Sequence, residues 1–279
     1  MAAPDATRAT VFGTAAEEYA RLRPGPCPDA VDWLVGGHDR VLDLAAGAGT
    51  LTLMLVERGH AVVAVDPDDR MRAVLAARNP GVRVLAGTAE DVPLPDGSLD
   101  AVVVSSAWHW FDPDRARAEI ARVLRPGGRL AVVWTSMDEQ VAWVADWRAA
   151  LRDAVRGAGG TAAGRDPGGS SDGPGSGRTH HRRGELLRTQ LVFDGSPFAD
   201  FRAETFRCVR RTTPADAAAL LGTYSRVLLL PEEDRRRLTA LAEVSLREHL
   251  GLPPRDPEGA EPPVVEMPLR SLAFTATRH

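Results

Sequence analysis

The run Arg40-Val-Leu-Asp-Leu-Ala-Ala-Gly-Ala-Gly-Thr50 decides the fold. An apolar stretch ends in an acid and a Gly-x-Gly turn, and a helix-like pattern starts at Leu51. A second apolar run, His60-Ala-Val-Val-Ala-Val-Asp66, follows and also ends in an acid. Strand, glycine turn, helix, strand, acid is the way an α/β sheet grips an adenosine-bearing ligand. The turn needs glycine because a residue without Cβ lets the backbone bend and touch what it binds. Asp66 lies about 20 residues past the turn, where a carboxylate can accept both ribose hydroxyls.

Outward from this run, strands and helices alternate. Apolar stretches at 82–86, 99–105 and 129–135 read as further strands, the 99–105 stretch being apolar on both faces. Asp68 and Asp112-Pro113 are helix starts, and Pro126-Gly127-Gly128 is a stop. Such alternation predicts a parallel sheet. Beyond 135 the rhythm changes. A helix over 138–155 places Trp143, Trp147, Leu151 and Val155 on one stripe. Residues 157–184 are rich in Gly, Ser, Asp and Arg and read as a mobile loop. A strand at 201–211, helices at 214–224 and 232–249, and a strand at 267–278 complete the chain.

Composition excludes several classes of chemistry. All 34 basic residues are arginine, so Schiff-base catalysis, pyridoxal phosphate attachment and a P-loop lysine are impossible. The same bias suggests a high-GC bacterial genome. A net charge of -4 advertises neither a nucleic-acid nor a membrane surface. No apolar run reaches membrane-spanning length, and the N-terminus does not read as a signal peptide. The two cysteines, Cys27 and Cys208, suggest a reduced cytoplasmic protein with no disulfide framework and no metal site.

The acid Asp43, four residues before Gly47, discriminates between adenosine ligands. A nicotinamide site wants G-x-G-x-x-G/A, and Thr52 stands at its third glycine position. A carboxylate at 43 repels a pyrophosphate but attracts the ammonium of a methionine moiety. Here the chain resembles the class I S-adenosylmethionine methyltransferases. Their acid-x-Gly-x-Gly-x-Gly motif appears as Asp43-Leu-Ala45-Ala-Gly47-Ala-Gly49, with alanine in place of the first glycine. Three further segments carry the likeness: Gly87-Thr-Ala-Glu-Asp-Val-Pro93, Ser105-Ser-Ala-Trp-His-Trp-Phe-Asp-Pro113, and Val123-Leu-Arg-Pro-Gly-Gly-Arg-Leu130. It is closest to the bacterial enzymes related to trans-aconitate and quinone-biosynthesis methyltransferases, and it covers roughly residues 10–136.

The resemblance implies a Rossmann-like three-layer α/β sandwich. Its mostly parallel seven-stranded sheet ends in an antiparallel C-terminal strand and carries a small helical lid. The implied divisions are a flap at 1–36, the cofactor-binding core at 37–136, a helix and flexible insert at 137–200, and C-terminal strands and helices at 201–279. S-adenosylmethionine is the implied cofactor and a small molecule the acceptor, with no nucleic acid or membrane partner and a monomer or homodimer. The implied cofactor contacts are Tyr19, Arg23, Asp43, Ala45, Gly47, Gly49, Asp66, Pro67, Met71, Thr88, Ala89, Glu90 and Ser105. Thr88 stands where the family carries an aspartate for the adenine amino group. Trp108 and Trp110 are candidates to line the acceptor pocket, and His109 is the candidate base. Plainer roles stand beside these. Asp66 could cap a helix, and His109, Trp108 and Trp110 could be packing residues. A nicotinamide oxidoreductase and a fold relative that does not methylate are the other functional readings.

Overall fold

The computed structural model describes residues 16–157, 176–223, 227, 230–254, 256 and 260–279. Among these residues seven strands form one sheet in the order β3-β2-β1-β4-β5-β7-β6. The parallel part is β1 (Arg40–Leu44), β2 (Ala61–Asp66), β3 (Arg83–Ala86), β4 (Leu99–Ser105) and β5 (Leu124–Met137). β7 (Val265–Arg278) lies antiparallel between β5 and the edge strand β6 (Phe198–Thr212). The sequence places β6 and β7 within three residues of these ends.

Alternation along the strands builds two cores. Leu42, Leu44, Val102, Val104, Leu130 and Val132 face one way and meet α5 (Pro113–Val123) and α7 (Ser176–Leu191) through Ile120 and Leu187. Val41, Ala101, Val103, Ala131 and Val133 face the other way. They meet α2 (Pro28–Val35) and α3 (Thr50–Glu57) through Val31, Leu34, Leu51 and Leu55. Asp43 shares the odd-numbered face of β1 with Val41 and therefore lies toward α3. A third cluster joins α6 (Ala142–Gly157), α8 (Pro214–Gly222) and α9 (Glu232–His249) to Leu269 of β7. Trp147 and Leu151 are buried in that cluster, as the stripe predicts, and the Trp147 Nε1 donates to the carbonyl of Ala242.

Caps act where the sequence puts them. The Asp68 carboxylate accepts from the N–H groups of Arg70 and Met71 at the start of α4 (Asp69–Arg78). Asp112 does the same for Asp114 and Arg115 ahead of Pro113.

Three expectations need correction. Residues 176–191 are helical, so the loop expected over 157–184 does not extend to 184; residues 158–175 lie outside the described chain. Pro126-Gly127-Gly128 does not only stop a helix but runs inside β5, as an irregular start where its pairing with β4 shifts register. Cys27 and Cys208 are joined in a disulfide, with their Cα atoms 5.6 Å apart across 181 positions of sequence. Pairs this distant in sequence leave no local spacing to read. Cys27 sits just before α2 and Cys208 on β6, and the packing of α2 against β6 and β7 brings them together.

Candidate active site

A cleft opens at the carboxyl ends of β1, β4 and β5, beside the point where strand order reverses between β1 and β4. That is where open α/β sheets bind ligands. Its floor is the 45–48 turn with Thr50 and Leu51. Ser105 and Ser106 of the β4 end and Thr135, Ser136 and Met137 of the β5 end form one side. Leu220 of α8 and the segment Arg23-Pro24-Gly25-Pro26, which follows α1 (Ala16–Leu22), form the other.

The turn is built by backbone constraint. Gly47 has φ +56° and Gly49 φ +83°, both in the left-handed region. A Cβ on Gly49 would stand 2.7 Å from Leu75 of α4 and from Asn79, which caps that helix, so this glycine also lets two helices approach. Ala45 and Ser106, both lining the cleft, carry φ +57° without being glycine. Strained backbone of this kind gathers at functional sites. Ala45→Gly is therefore expected to raise stability by about 1 kcal/mol, after the entropy cost of glycine. A melting temperature that falls instead would show that the Ala45 methyl packs more than its backbone strains.

Two carboxylates, Asp43 just before the turn and Asp66 bonded to it, are buried and do not themselves line the cleft. Asp43 is 1% exposed and Asp66 6%. Asp66 Oδ2 accepts from the Gly47 N–H at 2.8 Å, and Oδ1 accepts from the Asp68 N–H at 2.9 Å. Asp66 thus ties the end of β2 to the turn, while Asp68, not Asp66, is the helix cap. Asp43 Oδ2 accepts from the Thr52 hydroxyl at 2.6 Å. Asp43 Oδ1 has no hydrogen-bond partner among the described residues. Burial pushes the Asp43 carboxyl up to about 7; the bonds from Thr52 oppose the rise and the charge of Asp66 adds to it. Burial also raises Asp66, against the N–H groups of Asp68 and Gly47.

Of the residues singled out from sequence, Arg23, Ala45, Gly47 and Ser105 line the cleft together. Arg23 also donates from Nη2 to the carbonyl of Thr223 at 3.0 Å. Met71 is buried against Ala20 and Ala48, joining α1, the turn and α4. Pro67 and Thr88 are exposed, and the backbone of Thr88 bridges to Asp91. Ala89 is core, and Glu90 accepts from the N–H of Asp112 at 2.8 Å. The backbone of Tyr19 lies in α1, and its side chain is outside the described residues.

Trp108 is buried, and its Nε1 donates to Gln190 of α7 at 2.9 Å. Trp110 is half-buried and packs against the main core. His109 is exposed with its ring 4.7 Å from that of Trp110, and neither lines the cleft. The sequence reading missed Thr52, Ser106, Thr135, Ser136 and the 24–26 segment. Strand-end position was the available signal for the hydroxyls. For Thr52 the signal was its place one turn into the helix that follows the acid.

The sequence and the fold have counterparts in known proteins. Residues 42–132 match the methyltransferase domain family. An uncharacterised methyltransferase of Mycobacterium tuberculosis is 57% identical over 134 residues, covering 48% of this chain and 55% of that protein. The chain thus spans about half the length of the first curated relatives it matches. A methyltransferase of Schizosaccharomyces pombe is 28% identical over 235 residues, covering 82% of this chain and 84% of that one. A structure from Anaeromyxobacter dehalogenans, assigned as a type II methyltransferase, superposes with a TM-score of 0.61 at 28% identity. It covers 92% of this chain and 97% of its own. In sheet order and in the match over residues 42–132, the chain is similar to proteins that carry the methyltransferase domain.

Proposed function

We propose that the protein transfers a methyl group from S-adenosylmethionine to a small polar acceptor. The observation that carries the reading is Asp43: a buried carboxylate with one oxygen unpaired among the described residues, just before a glycine turn at the switch point of the sheet. Such a group calls for a cation, and the ammonium of a methionine moiety supplies one. The donor set fits the rest of the molecule. Asp66 offers carboxylate lone pairs toward ribose hydroxyls, and the open space beside Gly47 leaves room for a ligand against the backbone. Arg23 presents guanidinium donors suited to a carboxylate.

When bound, S-adenosylmethionine supplies an activated methyl on a sulfonium whose thioether leaves readily. The protein's part is alignment and exclusion of water, which together are worth several kcal/mol. Ser106, Thr135 and Ser136 offer hydroxyls that orient a polar acceptor, with Met137 and Leu220 as its apolar contacts. Thr135 is held by Ser271, whose Oγ lies 2.9 Å away and itself accepts from the Cys27 N–H. The segment at 24–27, within the flap expected over 1–36, forms one wall. His109 stands away from this lining, so His109→Ala is expected to keep turnover within about threefold; a loss above tenfold would restore it as the base.

A nicotinamide reading is disfavoured on two grounds. The Thr52 hydroxyl is engaged with Asp43 where that motif needs a glycine, and antiparallel β7 interrupts the 3-2-1-4-5-6 order of dinucleotide folds. Calorimetry with S-adenosylhomocysteine and NADH tests the choice. Binding of the first alone is expected, and binding of NADH alone would overturn the proposal. Incubation with labelled S-adenosylmethionine and a metabolite extract then identifies the acceptor.

A further inference from the structure

We propose that Thr52 is a positioning residue for the cofactor's ammonium: its hydroxyl occupies one oxygen of Asp43 and so leaves the other fixed for a cationic amine. The inference rests on the S-adenosylmethionine reading of the cleft. It adds a residue with no contact to the ligand and makes binding depend on a proton.

The geometry follows from two periodicities. Asp43 faces α3 because it alternates with Leu42 and Leu44 on β1. Gly49 caps α3, so Thr52 is the third helical residue, in the turn whose N–H groups lack helical acceptors. Both its hydroxyl and its N–H act on the Asp43 carboxylate. Both residues are buried, Thr52 fully. An ionised carboxylate only accepts, so the 2.6 Å contact has Thr52 as donor. That bond sets the plane of the carboxylate and consumes one oxygen. The other oxygen has no hydrogen-bond partner among the described residues.

The charge balance favours a cationic ligand over an ionised carboxylate left alone. The register neighbours of Asp43 are Ala64 on β2 and Val103 on β4, neither of them titratable. From α3 comes uncharged Thr52, and the charged group acting on Asp43 is Asp66 at the end of β2, which opposes its ionisation. The helix N-terminus and the Thr52 hydroxyl work in the other direction. The balance leaves the carboxyl at about 7. Near neutral pH it is then part protonated, and a ligand ammonium must displace that proton to bind.

Calorimetry with S-adenosylhomocysteine, which carries the amino-acid end, tests this. Affinity of the native protein is expected to rise about tenfold from pH 6 to pH 8, the change in ionised fraction of a group titrating near 7. 5′-Methylthioadenosine lacks the amino-acid end and should show no such rise. In Thr52→Val the rise should move to higher pH, with affinity at pH 7 down about tenfold, and Thr52→Ser should restore the native profile. A merely structural role predicts a uniform loss at every pH with the midpoint unmoved, and that result overturns the proposal. If Thr52→Val does not fold, the native profile decides, because pH-independent affinity also overturns it. Absence of S-adenosylhomocysteine binding at any pH in the native protein instead rejects the reading of the cleft.

Discussion

Asp43→Asn is expected to weaken S-adenosylhomocysteine binding by roughly ten- to a hundredfold and, at pH 8, to leave the ligand-free protein at least as stable as the native one. The two effects have one cause. Asp43 is buried and its carboxyl is raised from 3.8 to about 7. That rise corresponds to roughly 4 kcal/mol of preference for the protonated form in the folded state. The sign is fixed by linkage. With the folded value above the unfolded one, the stabilisation is complete below pH 3.8 and is lost as pH rises toward 7. The ligand-free protein should therefore melt at lower temperature at pH 8 than at pH 5.5, and Asp43→Asn should lack this component. Bound ligand offsets the cost by pairing the charge. A hydrogen bond to a charged group is worth about 1.5–3 kcal/mol, which sets the binding loss. Melting curves and calorimetry on the same samples separate the terms. A variant that bound normally would remove the ammonium contact from the proposal.

Cys208→Ser is expected to lower stability by about 2–5 kcal/mol, the range for removal of a disulfide that closes a long loop. The 181-position separation puts this bond at the upper end of the chain-entropy expectation. At about 2–4 °C per kcal/mol for a chain of this class, the melting temperature falls by roughly 5–15 °C. A thiol reductant should produce the same drop in the native protein and none in the variant. Ligand affinity should fall as well, because the bond anchors the cleft wall at 24–26. Cys27 is held to β6 by the disulfide and to β7 by its N–H to Ser271 at 2.8 Å. Gly25 is pressed against α3, where a Cβ would sit 2.6 Å from the Met54 sulfur. Unchanged melting in reductant would mean that α2 is held by its packing alone.

Other features are legible in the sequence because their physics is local. A helix cap needs an oxygen two or three residues before an N–H, so Asp68 and Asp112 declare themselves. A strand buried on both faces is nearly all apolar, so β4 is plain from its composition. The glycine turn is a constraint on successive φ angles. Ala45 is a partial exception: its identity departs from the family motif, and only the backbone reveals that it adopts φ +57° all the same.

What resisted reading was long-range. Helix 176–191 is polar in composition, with Leu187 and Leu191 as its buried anchors in the main core. Its stability comes from that docking and not from propensity. Trp108 reads equally as a pocket wall or a packing residue, and its partner Gln190 is 82 positions away. The disulfide and the wall it anchors depend on β6 pairing at the edge of the sheet.

The amino-acid order by itself determined the alternating fold, the glycine turn and the two acids, because strand periodicity, capping and φ preferences act within a few residues. Tertiary structure alone decided which oxygen of Asp43 is spent on Thr52, which strand ends share the cleft, and that Cys27 meets Cys208. Those outcomes depend on sheet order and burial, and burial is set by every element that packs over a residue and not by its neighbours in the chain.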